Sequence, residues 1–166
     1  MKECIFEGRA SRVYRAVDQA GRKVVVKQLR ELYPGPASLA RFSREFEITR
    51  RAAGPNIIQA HEMRVEDGTA SLVLEDFGAS SLAHHLRQCR FEFKEILRIG
   101  IQVAEGLSHL HRLHIVHRDI NPSNLVWNSR SEQVKIIDFG ISQVLGRNPV
   151  GATRLSGFSG SPAYMS

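Results

Sequence analysis

The sequence predicts an α+β fold: an antiparallel sheet carrying one helix, followed by a mainly helical part, with a cleft where the two meet. Two observations predict it. Alternating and β-branched runs fill most of residues 11–78, broken by one stretch at helical spacing, and beyond Gly78 the apolar period lengthens to that of helices. At 166 residues and 42% hydrophobic content the chain has enough apolar surface to bury a core.

SRVYRAV (11–17) alternates apolar and polar residues, DQAG (18–21) is turn chemistry and KVVVKQL (23–29) is rich in β-branched residues, so the three read as an antiparallel hairpin. After the breakers YPGP (33–36), residues 38–52 place Leu39, Phe42, Phe46 and Ile48 or Thr49 near helical spacing until Gly54-Pro55 ends the helix. Residues 57–78 read as a second strand pair around Glu66-Asp67-Gly68, with Leu72, Val73 and Leu74 in a buried strand. A short helix, SLAHHLRQC (81–89), precedes a long one over 93–113. The long helix carries Phe93, Ile96, Leu97, Gly100, Val103, Ala104, Leu107 and Leu110 on one stripe. The octet HRDINPSN (117–124) is a loop, because Pro122 lacks an amide hydrogen and pushes Asn121 away from helical angles. Two short strands follow at 124–128 and 133–139, and 140–166, rich in Gly, Ser and Pro, reads as a long surface loop.

The formal net charge is +6, from 23 Lys and Arg against 17 Asp and Glu, and outside short clusters such as Arg41, Arg44, Arg50 and Arg51 the cations are scattered. With aromatics at only 7%, this is a solvated surface instead of a nucleic-acid platform, and it suits an acidic or phosphorylated ligand. Cys4 and Cys89 are far apart with no His–Cys grouping, which fits neither a disulfide framework nor a zinc site and points to a reducing compartment. The start MKECIFEGRASRVYR lacks the apolar centre of a secretory signal, and no run approaches the roughly 18 apolar residues of a membrane span. The expectation is a cytoplasmic protein, or a cytoplasmic part of a larger one.

Asp119, Asn124 and Asp138 lie at loops or strand ends and offer hard oxygen atoms that suit magnesium beside a ligand's phosphate oxygens. Gly140, after Asp138 and Phe139, is expected to let the backbone turn sharply. Lys27, on the apolar strand, would hold phosphate charge, with Glu45 on the following helix as counter-ion. Taken singly, each also reads as ordinary structure: a snorkelling edge lysine, an exposed helix charge, a turn aspartate.

In combination, VVVK, REFEI, AGPNII, LVLEDFG, HRDINPSN, KIIDFG and GSPAYM occur in one order that resembles the eukaryotic-type serine/threonine protein kinase domain. The resemblance spans essentially the whole chain. It implies a bilobal fold, with the N-lobe and hinge at 1–78 and the first part of the helical C-lobe, carrying catalytic loop, DFG and activation segment, at 79–166. It also implies ATP and Mg2+ as ligands and phosphoryl transfer to serine or threonine hydroxyls of a protein substrate. Asp119 would accept or orient the proton of the attacking hydroxyl, and Asn124 and Asp138 would hold metal. Lys27 would bind the α- and β-phosphates with Glu45 fixing it; Glu47 is the rival partner, which spacing to Pro55-Asn56 disfavours. Leu74, Glu75 and Phe77 in the hinge would meet adenine, with Gly8 and Val13 also on the ATP side. His117 would support the loop and the DFG backbone. His109, His111 and His114 are spread around the helix axis and read as structural instead of zinc ligands. Arg118 resembles the arginine of kinases whose activation loop is ordered by phosphorylation, with Ser142, Thr153, Ser156 and Ser159 as candidate acceptors.

The chain departs from the family pattern in three places. Phe6, Gly8 and Ser11 stand at the three sites of the glycine-rich loop, so only one glycine remains there. Asn121, grouped with the catalytic residues, replaces the lysine usual in serine/threonine kinases, and INPSN is similar to kinase modules of bacterial hybrid sensor histidine kinases. The sequence stops at Ser166, directly after GSPAYM, where the family continues through further helices, so the resemblance implies a fragment. A signalling protein kinase with downstream domains is the leading expectation. A pseudokinase or scaffold is one alternative, and a small-molecule kinase is another, disfavoured by the Gly160–Tyr164 segment.

Overall fold

The computed structural model describes residues 2–145. Its first half is a five-stranded antiparallel sheet of β1 (Glu3–Glu7), β2 (Ser11–Val17), β3 (Lys23–Leu29), β4 (Ala60–Glu66) and β5 (Thr69–Glu75), in the order β1-β2-β3-β5-β4. The two expected hairpins form. Between β2 and β3 the Asp18 carboxylate accepts from the amides of Ala20 and Arg22 at 2.9 and 2.8 Å, and Gly21 takes φ +79°. Between β4 and β5, Asp67 and Gly68 both have positive φ, the backbone of a tight primed turn. Strand β1 is an addition to the expected elements. All five of its residues are exposed, so it holds to β2 by backbone pairing and carries no buried apolar pattern to read.

Helix α1 (Pro36–Arg51) starts two residues before the expected position, because Pro36 suits the first turn of a helix, where amides lack partners anyway. It buries Phe42, Glu45, Ile48 and Thr49. Phe42 joins Ala70 and Leu72 in a cluster under the sheet, whereas Ile48 and Ala52 reach a larger core below.

That larger core is built on α3 (Phe93–Arg112) and a three-stranded sheet of β6 (Ser80–Ser81), β8 (Leu125–Asn128) and β9 (Gln133–Ile136). Leu110, Ile115, Trp127, Val134, Ile136 and Phe139 are at most 2% exposed there, each such side chain contributing roughly 1.5–3 kcal/mol by leaving water. Ile57 of the upper half joins the same core and pairs with Ile136 in an isolated parallel bridge. Helix α2 (Leu82–Gln88) is capped by the Ser81 hydroxyl, which accepts from the His84 amide at 3.2 Å.

The stripe expected on α3 divides in two. Ile99, Val103, Gly106, Leu107 and Leu110 face the core, but Phe93, Ile96 and Leu97 are 75%, 54% and 50% exposed. At 100° per residue Phe93 and Leu97 lie to one side of the core-facing set, whereas Ile96 shares the direction of Val103 and is exposed in the first turn of the helix. The expected loop from Gly140 also begins with structure: β10 (Gln143–Val144) pairs antiparallel with β7 (Ile115–Val116). Among the described residues Cys4 and Cys89 are exposed free thiols, no three acidic, His or Cys side chains cluster as a metal cage, and no helix is long and apolar enough to cross a membrane.

Candidate active site

Strand alternation builds the first part of the site. Across β2, β3 and β5, Val13 pairs with Lys27, Lys27 with Leu72, and Val25 with Leu74, so Val13, Lys27 and Leu74 share one face. Lys27 Nζ lies 2.6 Å from Glu45 Oε1 and 3.1 Å from Asp138 Oδ1, with the Lys27 and Glu45 side chains only 15% and 9% exposed. Glu47 is exposed on the opposite side of α1, so the lysine's helical partner is Glu45. Burial works against the Lys27 charge, but the carboxylates of Glu45 and Asp138 together outweigh it and hold its pKa above the ordinary lysine value. Burial also pushes Asp138 up, and the adjacent Lys27 ammonium reverses this, leaving Asp138 below the usual aspartate range. Burial keeps Glu45 above the usual glutamate range although Lys27 opposes the shift.

The sharp bend in this segment is at Asp138, whose φ is +65°, and not at Gly140 as expected. Gly140 matters by close approach. Its amide donates to Asp138 Oδ1 at 3.2 Å, and a Cβ there would sit 3.2 Å from that oxygen and 3.5 Å from Glu45 Oε2.

The loop 117–124 builds the second part. His117 is 2% exposed, and its Nε2 donates to the Ile137 carbonyl at 3.0 Å while its Nδ1 accepts from the Asp119 amide at 3.3 Å. A carbonyl at Nε2 and an N–H at Nδ1 meet the two ring nitrogens, so the neutral Nε2–H tautomer satisfies both. Burial accordingly holds the His117 pKa below the ordinary histidine value. Two amides grip the Asp119 carboxylate: Asn121 Nδ2 donates to Oδ1 at 3.1 Å and Asn124 Nδ2 to Oδ2 at 2.8 Å. The same two groups donate to the Asp119 carbonyl, at 3.2 and 2.8 Å. Pro122 leaves its carbonyl to accept from the Ala83 amide at 2.9 Å, tying the loop to α2.

Backbone bonds join the two parts. Ile137, the neighbour of Asp138, donates its amide to the Asn124 carbonyl at 2.9 Å and accepts from His117. With Asn124 Nδ2 committed to Asp119, the Oδ1 of the same amide would be the atom to meet a cation. One such amide oxygen and the half-exposed Asp138 carboxylate are hard donors that suit magnesium completed by phosphate oxygens and water.

Leu74, Glu75 and Phe77 lie at the end of β5 and in the segment after it. Glu75 Oε1 receives Lys135 Nζ at 2.5 Å and the Gln59 amide at 2.7 Å, and the Lys135 ammonium stands 5.1 Å from the centre of the Phe77 ring. The Phe77 carbonyl accepts from Asn128 Nδ2. From β2, Arg15 places Nε 2.8 Å from Asp76 Oδ2 and donates from Nη2 to the Ala79 carbonyl at 2.9 Å. The Nε–H is not aligned with its neighbour, so that contact is Coulombic more than a hydrogen bond. Sequence reading passed over Arg15, Asp76, Asn128 and Lys135. The available signal was Lys135 inside the apolar run of KIIDFG, since a buried ammonium requires a partner.

Gly8 sits in the short turn between β1 and β2, its amide bonded to the Ser11 carbonyl at 2.9 Å and its carbonyl held by Arg30 Nη1 at 3.2 Å. Arg118, with φ +71°, hydrogen-bonds the Gln143 side chain. Ser142 does not fit the expected role of phosphate acceptor: it is 6% exposed and its hydroxyl donates to the His117 carbonyl at 3.1 Å. Thr153, Ser156, Ser159 and the Gly160–Tyr164 segment lie outside the described residues. His109 is structural, its Nε2 donating to the Ala53 carbonyl at 3.1 Å, and His111 and His114 are exposed.

A lysine–glutamate pair under a five-stranded sheet, with two carboxylates and an amide on adjoining loops, is the arrangement of a kinase-type fold. The family profile of the protein kinase domain matches residues 1–166, and the chain belongs to that family. It is 33% identical to the probable serine/threonine-protein kinase pknA2 of Bifidobacterium longum, over 97% of this chain and 22% of that protein. It is 38% identical to mitogen-activated protein kinase kinase 7 of Arabidopsis thaliana, over 79% of this chain and 41% of that protein. Against the serine/threonine-protein kinase pkn3 of Myxococcus xanthus the identity is 33%, over 98% of this chain and 31% of that one. The chain thus spans well under half the length of these relatives.

Proposed function

We propose that this chain is the nucleotide-binding and catalytic part of a serine/threonine protein kinase, its lobes at 1–78 and 79–166 meeting at the hinge. The observation that carries the reading is the Lys27 ammonium, 2.6 Å from Glu45 and 3.1 Å from Asp138, on the sheet face shared with Val13 and Leu74. Lys27 is held charged for the α- and β-phosphates of ATP, and Glu45 fixes its direction. Asn124 and Asp138 would hold Mg2+, which neutralises phosphate charge when bound. Asp119, oriented by Asn121 and Asn124, takes the proton of a serine or threonine hydroxyl as its oxygen bonds to the γ-phosphorus and the bond to the bridging oxygen of ADP breaks. Leu74, Glu75 and Phe77 line the hinge against adenine, and Gly8 lies over the phosphates.

The names of the relatives support a protein hydroxyl as acceptor. The INPSN loop supports a place among kinase modules of bacterial hybrid sensor histidine kinases, with further signalling domains and a cytoplasmic setting. Transfer of radiolabelled γ-phosphate from ATP to a library of serine and threonine peptides tests the reading, with Asp119→Ala as control. Wild-type labelling with loss of ~10²-fold or more in the variant is expected, since the base and its orientation vanish together. Equal labelling of both would overturn the catalytic assignment.

The single glycine between β1 and β2, pinned by Arg30, favours a second reading as a pseudokinase that binds partners without transferring phosphate. Nucleotide binding without turnover in the same assay would support it.

A further inference from the structure

The turn after β5 is held at both of its ends by one side chain that no kinase motif of this sequence includes. Arg15 approaches from β2, which also carries Val13, and reaches Asp76 with Nε at 2.8 Å and the Ala79 carbonyl with Nη2 at 2.9 Å. The Asp76 side chain is only 3% exposed, and its other oxygen accepts from the Gly78 amide at 2.9 Å, closing a turn around Phe77 in which Gly78 has φ +75°. Glycine adopts that angle without strain, and the bonds from Gly78 to Asp76 and from Arg15 to Ala79 hold the turn in this shape. A buried carboxylate needs a charge partner, and Arg15 is the cation beside it.

We propose that Arg15 is a positioning residue for the purine base: by clamping Asp76 and Ala79 it presets the Phe77 backbone that meets adenine. This rests on the kinase reading above. The clamp acts from the sheet side, while Asn128 holds the Phe77 carbonyl and Lys135 holds Glu75 from the lower sheet, so the hinge backbone is fixed from both directions before any nucleotide arrives. Adenine offers a donor beside an acceptor along the edge that faces a hinge, whereas guanine offers the reverse order. A preset backbone therefore favours adenine, and a loosened one loses that preference.

The experiment is a titration of the full chain with magnesium-ATP and with magnesium-GTP, reading Kd for each. Arg15→Met is expected to weaken ATP about tenfold, the loss of one well-placed hydrogen bond, and to change GTP less than about twofold. Arg15→Lys keeps the charge but loses the fork, and falls between. Because Arg15→Met leaves Asp76 buried and unpaired, the double variant Arg15→Met, Asp76→Asn is measured beside it; it keeps an acceptor for Gly78 and should show the same loss of ATP preference. Lys27→Met, which acts at the phosphates, should weaken both nucleotides alike. Unchanged ATP affinity in the Arg15 variants, or an equal fall for ATP and GTP, overturns the positioning role. Absence of ATP binding by the wild-type chain overturns the kinase reading and this inference with it.

Discussion

Lys27 Nζ and Asp138 Oδ1 stand 3.1 Å apart although 111 positions separate them in the chain. The contact exists because Glu45 brings the same ammonium to 2.6 Å from α1, so three elements converge on one charge. Such a buried cluster is poor at stabilising the fold, because desolvation offsets most of the attraction. Its value is in placing a cation. Lys27→Met should lower kcat/KM by about 10²–10³-fold, the loss of one preorganised charge, and should lower Tm as well, because it leaves the buried Glu45 carboxylate without its cation. Glu45→Gln keeps an acceptor within reach of Lys27 and should cost nearer tenfold. Steady-state kinetics with a peptide substrate, beside thermal melts, check both.

Asn121 occupies the place of a family lysine, and its amide lies 3.1 Å from the Asp119 carboxylate. Under the kinase reading proposed above, it would orient Asp119 where a lysine would supply charge to the phosphate. Asn121→Ala is expected to lower kcat about tenfold and to leave the Kd for ATP within about twofold, because the Asn124 amide still grips Asp119. A larger change in ATP affinity than in kcat would contradict this role.

The motif residues were legible because their order along the chain resembles that of a known family, each alone reading as ordinary structure, and the hairpins because Asp18 to Gly21 and Asp67-Gly68 are turn sequences. Other features were hidden for physical reasons. Strand β1 is exposed along its whole length, so its pairing lies in the backbone and leaves no side-chain pattern. Helix α3 is apolar on two sides, and periodicity alone does not say which side meets a core. The charges of Arg15, Asp76, Glu75 and Lys135 look like solvated surface until folding brings their partners across from distant strands. Gly140 drew attention as a glycine, whereas the strained angle belongs to Asp138, held by Lys27 and the Gly140 amide.

Two glycines of α3 should respond to alanine with opposite signs. Gly100 is exposed with nothing within 4 Å of an added Cβ, so Gly100→Ala should stabilise the chain by about 0.5–1 kcal/mol through helix propensity alone. At Gly106 the same atom would meet Ile136 Cδ1 at 3.0 Å, Asn56 Cβ at 3.2 Å and the Asn56 carbonyl oxygen at 3.3 Å. The isoleucine tip can turn, but the Asn56 backbone is anchored by its side chain to Gln102 and to the Val134 carbonyl. Gly106→Ala should therefore destabilise by about 1–2 kcal/mol despite the same gain in propensity. Urea unfolding of the two variants gives the signs directly.

His117 should make stability depend on pH in a defined direction. Burial lowers its folded pKa, and the neutral ring is already matched, donating to Ile137 and accepting from Asp119. Unfolded, the group titrates near pH 6.5, so below that value the unfolded chain binds a proton that the folded chain resists. The contribution is complete above about pH 6.5 and declines as pH falls toward the lowered folded value, at up to about 1.4 kcal/mol per pH unit. A second proton on Nδ1 would also face the Asp119 amide, disturbing the carboxylate next to it. Chemical unfolding between pH 7.5 and 5.5 should show wild-type stability falling on acidification, and a flatter profile for His117→Gln, which is less stable at pH 7.5 but has no proton to gain. Parallel profiles for the two proteins would assign the pH response to other groups.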